Sequence, residues 1–103
     1  MNLDHIAISV ENIEKSISWY CKNLDAKVRY KDETWAMLSI GDTKIALTIG
    51  NTHPPHIAFS IANASLFPKG SKISTHRDES KYFYQKDPDG NTIEWIYYSD
   101  RLK

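Results

Sequence analysis

Cysteine occurs once, at Cys21, so no disulfide can close within the chain. A fold that manages without one fits a reducing compartment, and the expected location is the cytoplasm. Charge of either sign is not in excess: thirteen basic residues face thirteen acidic ones. That balance lacks the electrostatic footprint of a nucleic-acid or anionic-membrane partner, and neither is expected. Long apolar runs are missing too; the longest stretches reach about six residues, against the roughly 20 that span a bilayer. The first residues, Met1-Asn2-Leu3-Asp4, carry no basic segment and lead straight into a strand pattern, so no signal peptide is expected.

What is present is ordinary for a globular protein. Hydrophobic residues make up 41% of the 103 and charged residues 25%, enough for one core, and a single domain over residues 1–103 is expected. The most informative feature is a repeat. Residues 5–10 read His-Ile-Ala-Ile-Ser-Val, and residues 56–61, 51 positions later, read His-Ile-Ala-Phe-Ser-Ile. Two copies are too few for a solenoid and point to a duplicated supersecondary unit. Both alternate with period two, as half-buried strands do. Ile6, Ile8 and Val10 share one face and His5, Ala7 and Ser9 the other. Likewise Ile57, Phe59 and Ile61 oppose His56, Ala58 and Ser60, and the apolar faces are expected to turn toward a core.

After the first copy, Ile13, Ile17, Tyr20 and Leu24 recur at helical spacing, with Glu11 and Glu14 expected in the first turn and Lys22 near the end. Strand patterns follow at Lys27–Lys31, Thr34–Ile40 and Thr43–Ile49, with a Gly41-Asp42 turn between the last two. The first module, residues 1–50, is thus β-α-β-β-β. The linker Asn51-Thr52-His53-Pro54-Pro55 resists helix. The second module, residues 53–98, has only a short Pro68-interrupted stretch where the helix should be. Its strands are expected at Lys72–Thr75, Lys81–Lys86 and Thr92–Tyr98, the last two joined by the strong turn Asp87-Pro88-Asp89-Gly90-Asn91. The fold class is therefore α+β, two paired modules with curled mixed sheets around a cleft, the second with its helix reduced or lost. An apolar face of Ile57, Phe59, Ile61, Phe83 and Trp95 then needs cover. Leu66 and Phe67 folding back, and a second subunit, are the expected sources, which makes the chain a homodimer.

The chemistry follows from parity. Glu94 on the last strand of module two occupies the position that Ala46 holds in module one. Modules facing each other about a pseudo-twofold axis would bring His5, His56 and Glu94 together. Two imidazoles and a carboxylate suit a divalent first-row ion (Fe, Mn, Ni or Zn) and leave coordination positions open for a small-molecule substrate. Lys44 and Thr48 share the face of Ala46 and are expected at the substrate, as is Trp35 at the cleft mouth. Cys21 reads as a structural thiol, and His53 and His76 as solvent-exposed loop residues. The Lys69-Gly70-Ser71-Lys72 segment reads as a solvated loop.

The segments Leu3-Asp4-His5-Ile6-Ala7, Ser16…Trp19-Tyr20…Leu24, His56-Ile57-Ala58-Phe59-Ser60, Tyr82-Phe83-Tyr84, Asp87-Pro88-Asp89-Gly90 and Ile93-Glu94 resemble the vicinal oxygen chelate superfamily. That superfamily includes glyoxalase I, bleomycin-resistance proteins, fosfomycin-resistance proteins and extradiol dioxygenases. The resemblance implies paired modules curled around a metal, with His5, His56 and Glu94 on ligand positions. It also implies that Ala46 stands where glyoxalase I-like members carry a fourth ligand, which argues against glyoxalase chemistry. The Tyr82-Phe83-Tyr84…Glu94…Asp100-Arg101-Leu102 outline is similar to the fosfomycin-type tail, which makes Tyr84 a pocket residue. The implied function is a metal-dependent enzyme, dioxygenase-like or fosfomycin-resistance-like, acting on a small oxygen-rich substrate. The alternative is a metal-free module that sequesters a small molecule, as bleomycin-resistance proteins do.

Overall fold

The apolar stripe at Ile13, Ile17, Tyr20 and Leu24 forms one helix, α1 (Ile13–Leu24), in a computed structural model that describes residues 1–50 and 53–99. Asn51 and Thr52 of the linker and the Asp100-Arg101-Leu102 tail lie outside the described residues. Asn12 starts the helix: its backbone is extended and its side-chain oxygen accepts the Lys15 N–H at 2.9 Å, satisfying one orphan donor of the first turn. Glu14 lies in that turn. Glu11 does not, contrary to the reading from spacing, because the capping side chain belongs to the residue after it. Asp25, in the left-handed region at φ 53°, ends the helix.

The chain divides into two compact units, one of His5–His56 and one of Met1–Asp4 together with the residues from Ile57 onward. In the first, the strands β1 (Asn2–Val10, its first three residues counting with the other unit), β2 (Lys27–Lys31), β3 (Trp35–Ile40) and β4 (Thr43–Ile49) lie in the order β2-β3-β4-β1. β1 runs parallel to β4, with Ala7 opposite Ala46 and Ile8 opposite Leu47. The β2-β3 and β3-β4 pairs are antiparallel. Helix α1 covers one face. Ile13 and Ile17 pack with Ala26, Ala36, Leu38 and Leu47, and Ile8, Val10, Tyr20 and Cys21 pack around them. Cys21 is half-buried against this cluster.

The second unit contains β5 (His56–Ser60, its first residue counting with the other unit), β6 (Ser74–Thr75), β7 (Lys81–Lys86) and β8 (Thr92–Tyr97), in the order β5-β8-β7-β6. A single 3-10 turn, Ala64–Leu66, stands where the helix would be, as Pro68 and the short spacing imply. Leu66 is 51% exposed, whereas Phe67 beside it is half-buried. β6 is shorter than the expected Lys72–Thr75. The hairpin joining β7 and β8 closes at Gly90, whose φ of +88° favours glycine. Asp87 binds it from within, accepting the N–H groups of Asp89 and Asn91 at 2.9 and 2.8 Å.

One expectation about the faces holds only in part. The histidine-bearing side of β5 is the more buried, with Ala58 fully covered, whereas Ile57 remains 39% exposed. On β8 the buried positions are Thr92, Glu94 and Ile96. Among the described residues no helix covers this unit, and Ile57 and Phe59 stay partly in solvent, while Ile61, just past the strand, is buried at 5% exposure; the small alanine on the opposite side permits close packing. Among the described residues, no helix is long and apolar enough to cross a membrane.

Candidate metal centre

His5 and His56, 51 residues apart, meet within one unit. Their Nε2 atoms are 3.2 Å apart and both side chains are buried, at 7% and 8% exposure. The rings stand edge to face at 76°. The linker prolines explain part of this. The Nδ1 of His56 lies 2.7 Å from the Pro54 carbonyl. A carbonyl can only accept, so Nδ1 carries the hydrogen, and Nε2, facing His5, is the nitrogen whose lone pair can serve a metal. A backbone carbonyl behind a histidine is the usual device for fixing the tautomer of a metal ligand. Two imidazole nitrogens about 2.1 Å from one ion and at right angles to each other stand about 3.0 Å apart. The observed separation fits neighbouring ligands of one divalent ion.

The same face of this unit carries the expected substrate residues. Across β1, β4 and β3, Ala7 pairs with Ala46 and Ala46 with Met37, while Ser9 pairs with Thr48 and Thr48 with Trp35. Lys44 pairs with Ser39 on that face and is half-buried. The Thr48 hydroxyl is buried and donates to the Ile8 carbonyl at 3.3 Å, which leaves its lone pairs as acceptors. Trp35 stacks on Tyr30, with ring centroids 4.7 Å apart. The strand turn below it is tied by Asp32, which accepts the Tyr30 hydroxyl and the Thr34 and Trp35 N–H groups. A cavity of about 470 Å³ in this unit lies elsewhere, between the start of α1 and the Lys31–Glu33 segment, and none of Lys44, Ala46, Thr48 and Trp35 lines it.

In the other unit, Glu94 is 1% exposed. A buried carboxylate needs a partner to offset its lost hydration, and His76 supplies one, with Nε2 2.7 Å from Glu94 Oε2. This corrects the reading of His76 as a solvated loop residue: its side chain is only 27% exposed and lies flat on Tyr82, centroids 3.7 Å apart. No sequence signal marked it, because the contact bridges 18 residues through the β6-β7-β8 pairing. His53, by contrast, is exposed, as are Lys69 and Lys72. Tyr84 lies opposite Glu94 in the β7-β8 ladder. Burial first, then the negative charge of Glu94, pushes the Tyr84 phenol well above its ordinary range. It therefore remains a hydrogen-bond donor at any physiological pH.

Residues 2–67 match the Glyoxalase/Bleomycin resistance protein/Dioxygenase superfamily, and the chain belongs to that family. Among characterised relatives, it is 24% identical to a glutathione transferase, FosA, of Serratia marcescens, over 90% of this chain and 78% of that one. It is 27% identical to a metallothiol transferase, FosB, of Lysinibacillus sphaericus, over 91% of this chain and 80% of the relative. The fold is shared with methylmalonyl-CoA epimerase of Mycobacterium tuberculosis at a TM-score of 0.74 and 15% identity, covering 98% of this chain and 90% of the other.

Proposed function

We propose that this chain is a metal-dependent enzyme whose divalent ion is held by His5, His56 and Glu94, and that it transfers a thiol to a small oxygen-rich electrophile. The observation that carries the reading is the buried pair of Nε2 atoms 3.2 Å apart, one of them fixed as a lone-pair donor by Pro54. Glu94, buried like both histidines, adds the anionic third ligand. Fe, Mn, Ni and Zn all accept such a donor set, and the residues do not choose among them. When bound, the ion would supply Lewis-acid polarisation of a substrate oxygen.

The rest is for the chain's own residues. In thiol transfer to an epoxide, a carbon–sulfur bond forms as a carbon–oxygen bond breaks, and the electron pair moves onto oxygen, which then takes a proton. The Tyr84 hydroxyl, kept protonated, is suited to donate a hydrogen bond to that oxygen as its charge grows. Lys44 would attract an anionic group, Thr48 would accept a hydrogen bond, and Trp35 would cover a planar portion of the substrate. Ala46 offers no carboxylate to abstract a proton, which speaks against glyoxalase or epimerase chemistry at this position. The names of the two transferase relatives favour thiol transfer over ring cleavage by oxygen.

The half-covered side of the helix-less unit, Ile57, Phe59, Phe83 and Trp95, supports a homodimer. The single cysteine supports a cytoplasmic location. Light scattering behind size exclusion should give twice the 11.9 kDa chain mass; the chain mass alone would remove the dimer. For the function, purified protein supplied with Mn(II) and a thiol should open small phosphonate or carboxylate epoxides, followed by NMR. His56→Ala should abolish the product. Ligand binding undiminished by chelator and by His56→Ala would favour metal-free sequestration instead.

A further inference from the structure

The geometry points to His76 as a positioning residue: stacked on Tyr82, it grips Oε2 of Glu94 and so makes the carboxylate a one-oxygen metal ligand through Oε1. This rests on the reading of Glu94 as a ligand, and it assigns a role to two residues that the ligand triad leaves unexplained.

Three constraints converge on the His76 ring. The first is in the backbone. The His76 N–H donates to the Ser80 carbonyl and its own carbonyl accepts the Glu79 N–H, both at 2.9 Å. The turn between them is tight, with Glu79 in the left-handed region at φ 73°. It is held by Asp78, whose Oδ1 accepts the Ser80 N–H at 2.9 Å and the buried Ser80 hydroxyl at 2.6 Å. A residue anchored this way on both sides has little freedom to carry its side chain elsewhere.

The second constraint is the ring stack. His76 and Tyr82 are nearly parallel, at 12°, and Tyr82 is braced edge-on by Tyr84 at 5.3 Å. Because Ser74 pairs with Tyr82 and Tyr84 pairs with Glu94, all of these side chains share one face of the ladder. Stacking fixes the plane of the imidazole, and that plane fixes the direction of the Nε2–H.

The third is the chemistry of the bond. A carboxylate only accepts, so Nε2 carries the hydrogen, and it does so whatever the state of Nδ1. At 2.7 Å this is a short, charge-assisted contact. With Oε2 committed, a bidentate grip on an ion by Glu94 is disfavoured, and a coordination position that a second oxygen would fill stays open for substrate. Partners behind a ligating carboxylate typically matter about 10- to 100-fold in metal affinity.

Cobalt(II) alone is the probe, titrated into the purified chain while its visible absorption is recorded. Wild type should take up the ion with a defined spectrum. His76→Phe, which keeps the stack and loses the donor, should bind it about 10- to 100-fold more weakly and with an altered spectrum. His76→Gln, whose amide nitrogen can replace Nε2, should recover most of the affinity. Tyr82→Ala, which frees the ring but leaves the donor, should weaken binding by a smaller factor, and it decides the matter if His76→Phe does not fold. Wild-type affinity and spectrum in both His76→Phe and Tyr82→Ala would overturn the positioning role while leaving the triad standing. No uptake by wild type would overturn both.

Discussion

The two units begin with nearly the same strand and end differently. His5-Ile6-Ala7 leads into a capped twelve-residue helix that closes over Leu38 and Leu47, both fully buried. His56-Ile57-Ala58 leads into a single 3-10 turn that leaves Leu66 half in solvent. What the helix-less unit loses in apolar packing it partly replaces with polar architecture: the Asp78 and Asp87 turns, and the His76–Glu94 bond under the tyrosines. One copy reads as the mechanical half and the other as the half where a buried carboxylate is held. Both strands begin with a histidine, and at the positions the internal repeat aligns, one unit has Ala46 where the other has Glu94.

If the helix carries the packing, the largest effect on stability should come from its unit. Leu47→Ala should cost about 2–5 kcal/mol in urea unfolding, whereas Phe59→Ala on the half-covered side should cost less than about 2 kcal/mol. Equal losses would mean that the second unit's apolar side is covered after all, and a concentration-dependent midpoint would point to a dimer as the cover.

A second way to sharpen the contrast is to make the units alike. Ala46→Glu inserts a carboxylate at a 5% exposed position on the His5 face. Without metal it should lower stability by about 1–3 kcal/mol, and Ni(II) or Zn(II) should restore much of that loss in thermal melts. A loss indifferent to metal would separate Ala46 from the metal face.

The caps give a smaller and cleaner comparison. Asn12 caps a full helix and Asn63, accepting the Ser65 N–H at 3.1 Å, caps only the 3-10 turn. Asn12→Ala should cost about 1 kcal/mol and Asn63→Ala a fraction of that.

Smallest is an effect of acid. The Tyr30 hydroxyl first, then the backbone N–H groups of Thr34 and Trp35 and the Thr34 hydroxyl, hold Asp32 at about 2, below its ordinary 3.8. Asp87 is likewise lowered, chiefly by Asn91. Folding favours the ionised form at both turns. Their contribution is therefore complete above the ordinary carboxylate range and is lost as pH falls through it, for Asp32 from about 4 toward 2. Asp32→Asn should flatten that part of the acid profile, and an unchanged profile would deny the turn any role in stability.

The sequence disclosed most of this division because its strongest signals are local. Period two marked β3, β4, β7 and β8 to within a residue or two, helical spacing marked α1, and Pro68 foretold the missing helix. The two histidines were legible only as a repeat, since either alone is an ordinary strand residue. Three things escaped. Spacing alone puts Glu11 in the helix, because it does not say which neighbour caps. Alternation fixes which residues share a side, not which side is covered, so Ile57 and Phe59 stay partly in solvent where the pattern predicts a core, while Ile61 is buried. The local sequence around His76 points to solvent, because its partner arrives through strand pairing and nothing within several residues of it on the chain announces a buried carboxylate.

The central claim is that His5, His56 and Glu94 hold one ion, and metal content measures it most directly. Protein purified without chelator, then dialysed against Mn(II), Fe(II), Ni(II) or Zn(II), should retain about one equivalent of at least one of them. His5→Ala, His56→Ala and Glu94→Ala should each release it while remaining folded by circular dichroism. Retention below about a tenth of an equivalent for all four ions, or undiminished retention in the three variants, would contradict the account.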